Sequence, residues 1–576
     1  MSVPHLELTK LETTIMSDAF RGIFSNILNE GQHLREIFNR RLVAYEPLVL
    51  VGGSGIIAYG IHYMVIRIPN DGIYAGVKRT FFRIRNRIPF IKSIIDRELA
   101  KSAKSITDNV EKLYRGGNEN CKFITVLPKG PMSSSEILVQ VESYLKLGYN
   151  GSDGGLMSGA LYHGGEGLTK LNTKVYEMSS WSNTLHAEVF PGILKMEAEI
   201  VRMVADLFHG DSESCGSVTS CGTESILLAV KAYRDYGTTE LGILHPEILV
   251  ASSAHPAFNK AAQLYNIKIK SVPLDQNTYT VDVKAMKKMI TRNTVMIVGS
   301  APAYPHGCMD NIKAISEIGL KHNIPVHVDA CLGGFLIAFM SKAGFPLEPF
   351  DFQLPGVTSI SADTHKVTHH LPLCDYGSAP KGSSILLFRS KKLRQYQYFI
   401  HTEWCGGLYA SQTLAGSRAG ALIAVCWTTM LYFGMSGYVD MTKSIIQTAR
   451  HIKYQLKQIQ GIDVMGNPEV SIIALKSEEF DIYRLLEAMK SKGWVMNALQ
   501  FPSSIHFCLS YNQTAPGVAD KFLKDIRDAV EVLMSDPDSE TTGVAAIYGT
   551  SQTVSDRSIV SEITAIYLDT LYETNF

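Results

Sequence analysis

Lys366 stands directly after His365, at the end of a β-branched run that includes Val357, Thr358 and Ile360. A lysine amine is mostly protonated near neutral pH, and burial in a cleft penalises that charge and makes the amine a nucleophile toward a carbonyl. Upstream, Asp329 closes His327-Val328-Asp329-Ala330, and His255 closes Ser252-Ser253-Ala254-His255. Cys221-Gly222-Thr223 lies between a strand and a helix whose apolar face is Ile226, Leu227, Val230 and Tyr233. Such a turn offers a phosphate free backbone N–H groups and the positive end of a helix dipole.

Together these groups suit a phosphorylated pyridine aldehyde, pyridoxal phosphate. Lys366 would hold the aldehyde as a Schiff base, and Asp329 would pair with the protonated ring nitrogen and keep the ring an electron sink. His255 would stack on the ring, while Cys221, Gly222 and Thr223 would cradle the phosphate. His327 and His365, beside the aspartate and the lysine, complete the expected cofactor contacts. Taken singly, Asp329 could instead cap a helix over Ala330 to Met340, and His255 could be an ordinary loop histidine.

Bringing these groups to one cleft calls for strands that end side by side. Between Lys195 and Gly382, apolar β-branched runs alternate with amphipathic helical patterns. Helices are expected at Lys195 to Phe208 and Thr223 to Tyr236, and strands at Glu247 to Ser252, Thr294 to Ser300, Pro325 to Asp329 and Val357 to Ser361. This alternation builds an α/β domain, a mostly parallel sheet flanked by helices, with ligands at the strand carboxyl ends. Helical stretches at Ala421 to Phe433 and Tyr438 to Ile459 then precede short strands near Val470 to Leu475 and His506 to Leu509. Helices at Phe480 to Lys492 and Gly517 to Met534 complete a smaller α+β domain, and Ser555 to Leu571 forms a last amphipathic helix.

The chain has 576 residues, enough for two or more domains, and its formal net charge of +0 gives no sign of a nucleic-acid partner. Its 9 cysteines show no CxxC or paired spacing, which argues against a disulfide framework or a metal site and for a reducing compartment. From Pro47 to Ile66 there is no Asp, Glu, Lys or Arg, matching the roughly 20 residues that span a bilayer core. A transmembrane helix is expected there. Arg67, Lys78, Arg79, Arg83 and Arg85 follow it, so the long C-terminal part is expected in the cytosol. The basic and aromatic segment Lys78 to Lys101 suits an anionic membrane face, and Ser133 to Glu136 has the form of a capping box.

The chain resembles the sphingosine-1-phosphate lyases, within the pyridoxal-phosphate decarboxylase-like enzymes of fold type I. The residues that carry the resemblance are Asn183 to Gly192, Cys221 to Ser225, Gly299 to Pro302, Pro325 to Gly333, Ser359 to Lys366, Ala379 to Ser384, Trp404 to Ser411, Ala415 to Arg418, Phe480 to Tyr483 and Leu499 to Pro502. The resemblance implies a homodimer anchored by one span in the endoplasmic reticulum membrane. Its activity would be retro-aldol cleavage of a phosphorylated long-chain sphingoid base to a fatty aldehyde and phosphoethanolamine. It also implies that Tyr162, His186, Lys381 and Tyr409 line the substrate site with Lys366, and that Lys381 faces the substrate phosphate. The corresponding division is a lumenal segment 1–46, a span 47–66, a juxtamembrane segment 67–132, an arm 133–194, a cofactor domain 195–430 and a small domain 431–576.

The chain departs from the family's pattern at Val367 to Asp375, which intervene between His365-Lys366 and Tyr376-Gly377 and move Lys381 farther along the chain. A displaced catalytic group can lose orders of magnitude in rate, although an insertion whose ends stay close costs little. Cys221 replaces a glycine and is expected to crowd the phosphate turn, Thr184 replaces a proline, and Ser378 replaces an aromatic residue. These departures raise the alternative of a catalytically impaired paralogue; an amino-acid decarboxylase is the other alternative.

Overall fold

Thr294 to Ser300 has no charged side chain, and all 7 residues are buried, as in a parallel strand covered on both faces. It is an interior strand of the largest sheet among the described residues. The computed structural model describes residues 89–116, 123–147, 156–159, 165–366, 381–538 and 557–575. The expected span at 47–66 and the segment 367–375 lie outside them.

In chain order the helices begin with α1 (Pro89–Arg115), α2 (Ser134–Leu145), α3 (Glu166–Ser179) and α4 (Pro191–Leu207). There follow β1 (Cys215–Thr219), α5 (Gly222–Leu241), β2 (Glu247–Ala251), α6 (Ala257–Leu264), β3 (Lys268–Val272), α7 (Val283–Met289) and β4 (Thr294–Ser300). Next come α8 (Ile312–His322), β5 (Val326–Ala330), α9 (Gly334–Met340), β6 (Val357–Ala362), β7 (Ser384–Phe388), β8 (Phe399–His401) and β9 (Tyr409–Ser411). The remainder is α10 (Gly420–Leu456), β10 (Asp463–Val464), β11 (Ile472–Lys476), α11 (Ile482–Ser491), β12 (Asn497–Leu499), β13 (Ser504–Cys508), α12 (Val518–Ser535) and α13 (Arg557–Thr570).

The chain divides into two units, 1–150 with 541–576, and 151–540. In the first, the Tyr114 hydroxyl at the end of α1 donates to the Leu571 carbonyl just past α13, 2.8 Å away. The capping box at the start of α2 is present: Ser133 Oγ accepts from Glu136 N, and the Glu136 carboxylate accepts from Ser133 N at 2.8 Å.

In the second unit the large sheet has the order β1-β7-β6-β5-β4-β2-β3. Strands β3, β2, β4, β5 and β6 are parallel, whereas β7 runs antiparallel to both β6 and β1. The parallel strands therefore release the chain at one edge, where ligands bind in open α/β sheets. A second sheet, β10-β11-β13-β12, is antiparallel and is backed by α11 and α12, with Phe507 stacked on Phe522 at 4.3 Å. Helix α10 breaks at Gly434, whose φ of 55° suits a residue without a Cβ. This is the interruption expected between Phe433 and Tyr438. By length and composition α10 could cross a membrane, but Ile423, Cys426, Ile445 and Ile446 are core residues.

Candidate active site

After β6 the chain turns through Asp363, Thr364, His365 and Lys366. Hydrogen bonds pin this turn to the entry of β7: Thr364 Oγ1 is 2.6 Å from Ser383 Oγ, and His365 Nδ1 donates to the Ser383 carbonyl at 2.7 Å. Extra residues can be looped in between without separating Lys366 from the sheet.

Lys366 Nζ lies 2.8 Å from Asp363 Oδ2, in a carboxyl that is 1% exposed. Burial pulls the ammonium down, but the Asp363 carboxylate outweighs it and holds Lys366 above the usual lysine range. The depressed amine expected from burial is thereby corrected. The lysine becomes a nucleophile when this ion pair opens or its proton passes on.

Gly222 opens α5 directly beside that pair. An added Cβ would lie 2.8 Å from Cys331 Sγ and 2.9 Å and 3.0 Å from the two Asp363 oxygens, so the close approach requires glycine. No side chain caps the helix start. The Glu224 carboxylate turns back from it to accept from Ser220 N at 2.7 Å and Leu414 N at 3.1 Å. Cys221 is extended, with φ −172° and ψ 167°. Any residue adopts that backbone, so the expected crowding by Cys221 is not imposed by the turn.

At the carboxyl end of β5, Asp329 Oδ1 accepts from Cys331 N at 3.1 Å and from Ser361 Oγ at 3.4 Å. It caps no helix, since α9 begins after Gly333 with no side-chain cap. His327 is fully buried on the same strand face, with Nδ1 2.7 Å from Ser359 Oγ and Nε2 3.1 Å from Ser361 Oγ. Burial pushes it down to about 4, so it is neutral. Both ring nitrogens of His327 thus face serine hydroxyls of β6. His365 is buried and depressed by burial first, with the Lys366 and Lys381 charges adding to the effect. Lys381, although displaced in sequence, is therefore near His365.

The remaining candidates are dispersed. His255 is exposed at the end of β2 and accepts from Ala257 N at 3.1 Å. His186 is exposed in the loop between α3 and α4, and Tyr409 stands on the β8–β9 hairpin, its ring 6.2 Å from that of Trp404. Among the described residues no hydrogen bond joins any of these three to Lys366, and Tyr162 lies outside the described residues. The loop carrying His186 is anchored where Asn183 Oδ1 accepts from Arg418 N at 3.2 Å. Arg418 in turn grips Glu197 through two bonds, 2.6 Å and 2.9 Å long. Asp363, Ser361, Cys331 and the Glu197–Arg418 pair were not among the candidates from sequence. An acid three residues before the lysine was the visible signal for Asp363.

The arrangement fits pyridoxal phosphate. A glycine turn at a helix start could take the phosphate, and a lysine stands beside it on a buried acid whose Oδ1 has no hydrogen-bond partner among the described residues. Asp329 at the neighbouring strand end could serve as the acceptor for a ring nitrogen.

Known proteins agree. Residues 125–477 match the pyridoxal-dependent decarboxylase conserved domain. The chain is 44% identical to sphingosine-1-phosphate lyase of Drosophila melanogaster over 94% of this chain and 97% of that one. It is 47% identical to sphingosine-1-phosphate lyase 1 of Rattus norvegicus over 92% and 91% respectively. The solved structure of a Burkholderia pseudomallei sphingosine-1-phosphate lyase superposes with a TM-score of 0.68 at 36% identity, covering 73% of this chain and 95% of that one. Glutamate decarboxylase of Lactobacillus brevis, at 18% identity and a TM-score of 0.60, shares the fold. The chain is thus a pyridoxal-phosphate protein and belongs to the sphingosine-1-phosphate lyase family of the pyridoxal-dependent decarboxylases.

Proposed function

We propose that this chain cleaves phosphorylated long-chain sphingoid bases by a retro-aldol reaction, releasing a fatty aldehyde and phosphoethanolamine in sphingolipid breakdown. The observation that carries the proposal is Lys366 paired to buried Asp363 beside the Gly222 turn, in a chain similar to lyases along most of its length. Pyridoxal phosphate, when bound, supplies an electron sink for the breaking carbon–carbon bond. Lys366 would hold it covalently through Nζ. Gly222 and Thr223 bind its phosphate, Asp329 its ring nitrogen, and His255 the face of its ring. Lys381 attracts the phosphate of the substrate. Tyr162, His186 and Tyr409 are the candidates to take the proton from the substrate hydroxyl.

In this reading the enzyme is a homodimer, with a single span at 47–66 in the endoplasmic reticulum membrane and the catalytic part in the cytosol. The charge-free run from Pro47 to Ile66 and the basic residues after it support the anchoring. Exposed Trp181 at 92%, Leu408 at 73% and Ile400 at 60% support a partner surface beside the site. The test is to give the purified chain a phosphorylated sphingoid base, its unphosphorylated form and glutamate in parallel. Aldehyde from the first alone is expected; carbon dioxide from the amino acid would overturn the reading in favour of a decarboxylase.

A further inference from the structure

Behind Asp329 runs a chain of buried polar groups whose donors all point the same way. The Tyr233 hydroxyl donates to Ser359 Oγ at 2.7 Å, and Ser359 Oγ lies 2.7 Å from His327 Nδ1. Because Ser359 accepts from the tyrosine, its own proton is available to Nδ1. His327 is neutral and has one N–H; with the Ser359 proton on Nδ1, that N–H is on Nε2 and points at Ser361 Oγ, 3.1 Å away, the tautomer that leaves the Ser361 proton free for Asp329. The Cys331 thiol donates to the same oxygen at 3.2 Å. A hydroxyl oxygen has two lone pairs and one proton. With His327 and Cys331 occupying the lone pairs, the Ser361 proton is left for Asp329 Oδ1, 3.4 Å away, which also receives the Cys331 N–H at 3.1 Å. Asp329 Oδ2 takes no donor from the described residues and is the oxygen left to face a ligand. Tyr233, Ser359, His327 and Ser361 are each fully buried, so no water competes for these bonds.

We propose that Ser361, oriented by His327 and Cys331, is a positioning residue: it fixes the Asp329 carboxylate with Oδ2 toward the pyridine nitrogen and thereby sets the site's preference for a ring that can hold a proton there. The inference rests on the pyridoxal-phosphate reading and deepens it. It separates from a merely structural role because it concerns one atom of the ligand. Loss of general packing would weaken every ring alike, whereas loss of the Ser361 donor weakens only a ring with nitrogen at that position.

The test uses the full chain, stripped of cofactor, and compares by absorbance titration its affinity for pyridoxal phosphate and for the 1-deaza analogue, in which C–H replaces the ring nitrogen. For Ser361→Ala, the expected result is about tenfold weaker binding of pyridoxal phosphate with binding of the analogue unchanged. Tyr233→Phe, at the far end of the chain of donors, is expected to shift the same ratio in the same direction by a smaller factor. It carries the test should the Ser361 variant fail to fold. Equal losses for both ligands, or no loss for either, would overturn the role of Ser361 while leaving the cofactor in place. An unmodified chain that binds neither ligand would instead refute the cofactor reading, and the inference with it.

Discussion

Lys366 Nζ lies 2.8 Å from Asp363 Oδ2, so the amine that must attack a carbonyl is held as an ammonium by an acid three residues upstream. Removing the acid takes away the main effect opposing burial, with only lesser ones such as the Asp329 charge left against it, and burial favours the free amine. Asp363→Asn is therefore expected to raise the acetic-anhydride labelling of Lys366 at neutral pH by about tenfold in protein stripped of cofactor, read by mass spectrometry. Unchanged labelling would contradict the ion pair. Because pairing raises Lys366, the stability it contributes is fully present below the ordinary lysine value of about 10.4 and is lost only at higher pH.

Gly222→Ala tests the approach of α5 to the same acid. The new methyl would meet Asp363 oxygens at 2.9 Å and 3.0 Å and Cys331 Sγ at 2.8 Å, all on short buried side chains. The expected result is pyridoxal-phosphate affinity at least about tenfold lower in an absorbance titration, from displaced contacts to the phosphate and the lysine. Affinity equal to that of the unmodified chain would show that the phosphate does not sit at this turn.

Arg418 and Glu197, 13% and 7% exposed, form a closed pair with two bonds, and Arg418 also donates to the Val218 carbonyl at 3.1 Å. Breaking such a pair from one side strands the other charge. Arg418→Met should lower stability by about 3–5 kcal/mol, and the double change with Glu197→Gln should cost less. Urea unfolding of the three proteins decides it; a double variant worse than Arg418→Met would contradict the account.

Three buried groups contribute to the response to acid in a way that can be tested singly. Burial pushes His306 and His327 down to about 4, so their stabilising contribution is present above the ordinary histidine value of about 6.5 and is lost as pH falls toward 4. Burial raises Asp310 to about 6, so its contribution has the opposite sign and grows as pH falls through 6. Near pH 5 the unfolded chain holds both histidine protons and the folded chain the aspartate proton. From these groups stability should fall by about 1.4 kcal/mol per pH unit of acidification. His306→Phe should flatten that slope in urea unfolding at pH 5 and 7. An unaltered slope would mean that His306 does not titrate as its burial requires.

Much of this architecture was legible in the sequence because the informative signals are local. The run Thr294 to Ser300 became β4 with the same ends, and the parallel strands found by their β-branched runs place Asp329 and Lys366 at one sheet edge. Strands β3, β7, β8, β9, β10 and β12 were not foreseen. The antiparallel β7 is paired to both β6 and β1, and that partnership is long-range, while β8 and β9 are 3 residues each and too short to show a period. In the candidate site, Gly222, Asp329 and Lys366 could be proposed from sequence because each stands at or just beyond the end of an element. Asp363 and Ser361 were not, because their importance lies in what they touch, and the alternation that sets the face of His327 does not show its partners Ser359 and Ser361.

The account rests on Lys366 and on a turn that tolerates the insertion after it. The most direct measurement is quantification of long-chain aldehyde and phosphoethanolamine released by the purified full chain from a phosphorylated sphingoid base with pyridoxal phosphate, beside Lys366→Ala. Equal amounts of the two products from the unmodified chain and none from the variant are predicted. Cofactor covalently attached at Lys366 with no aldehyde released would contradict the lyase reading and show that the segment 367–375 has disabled the site.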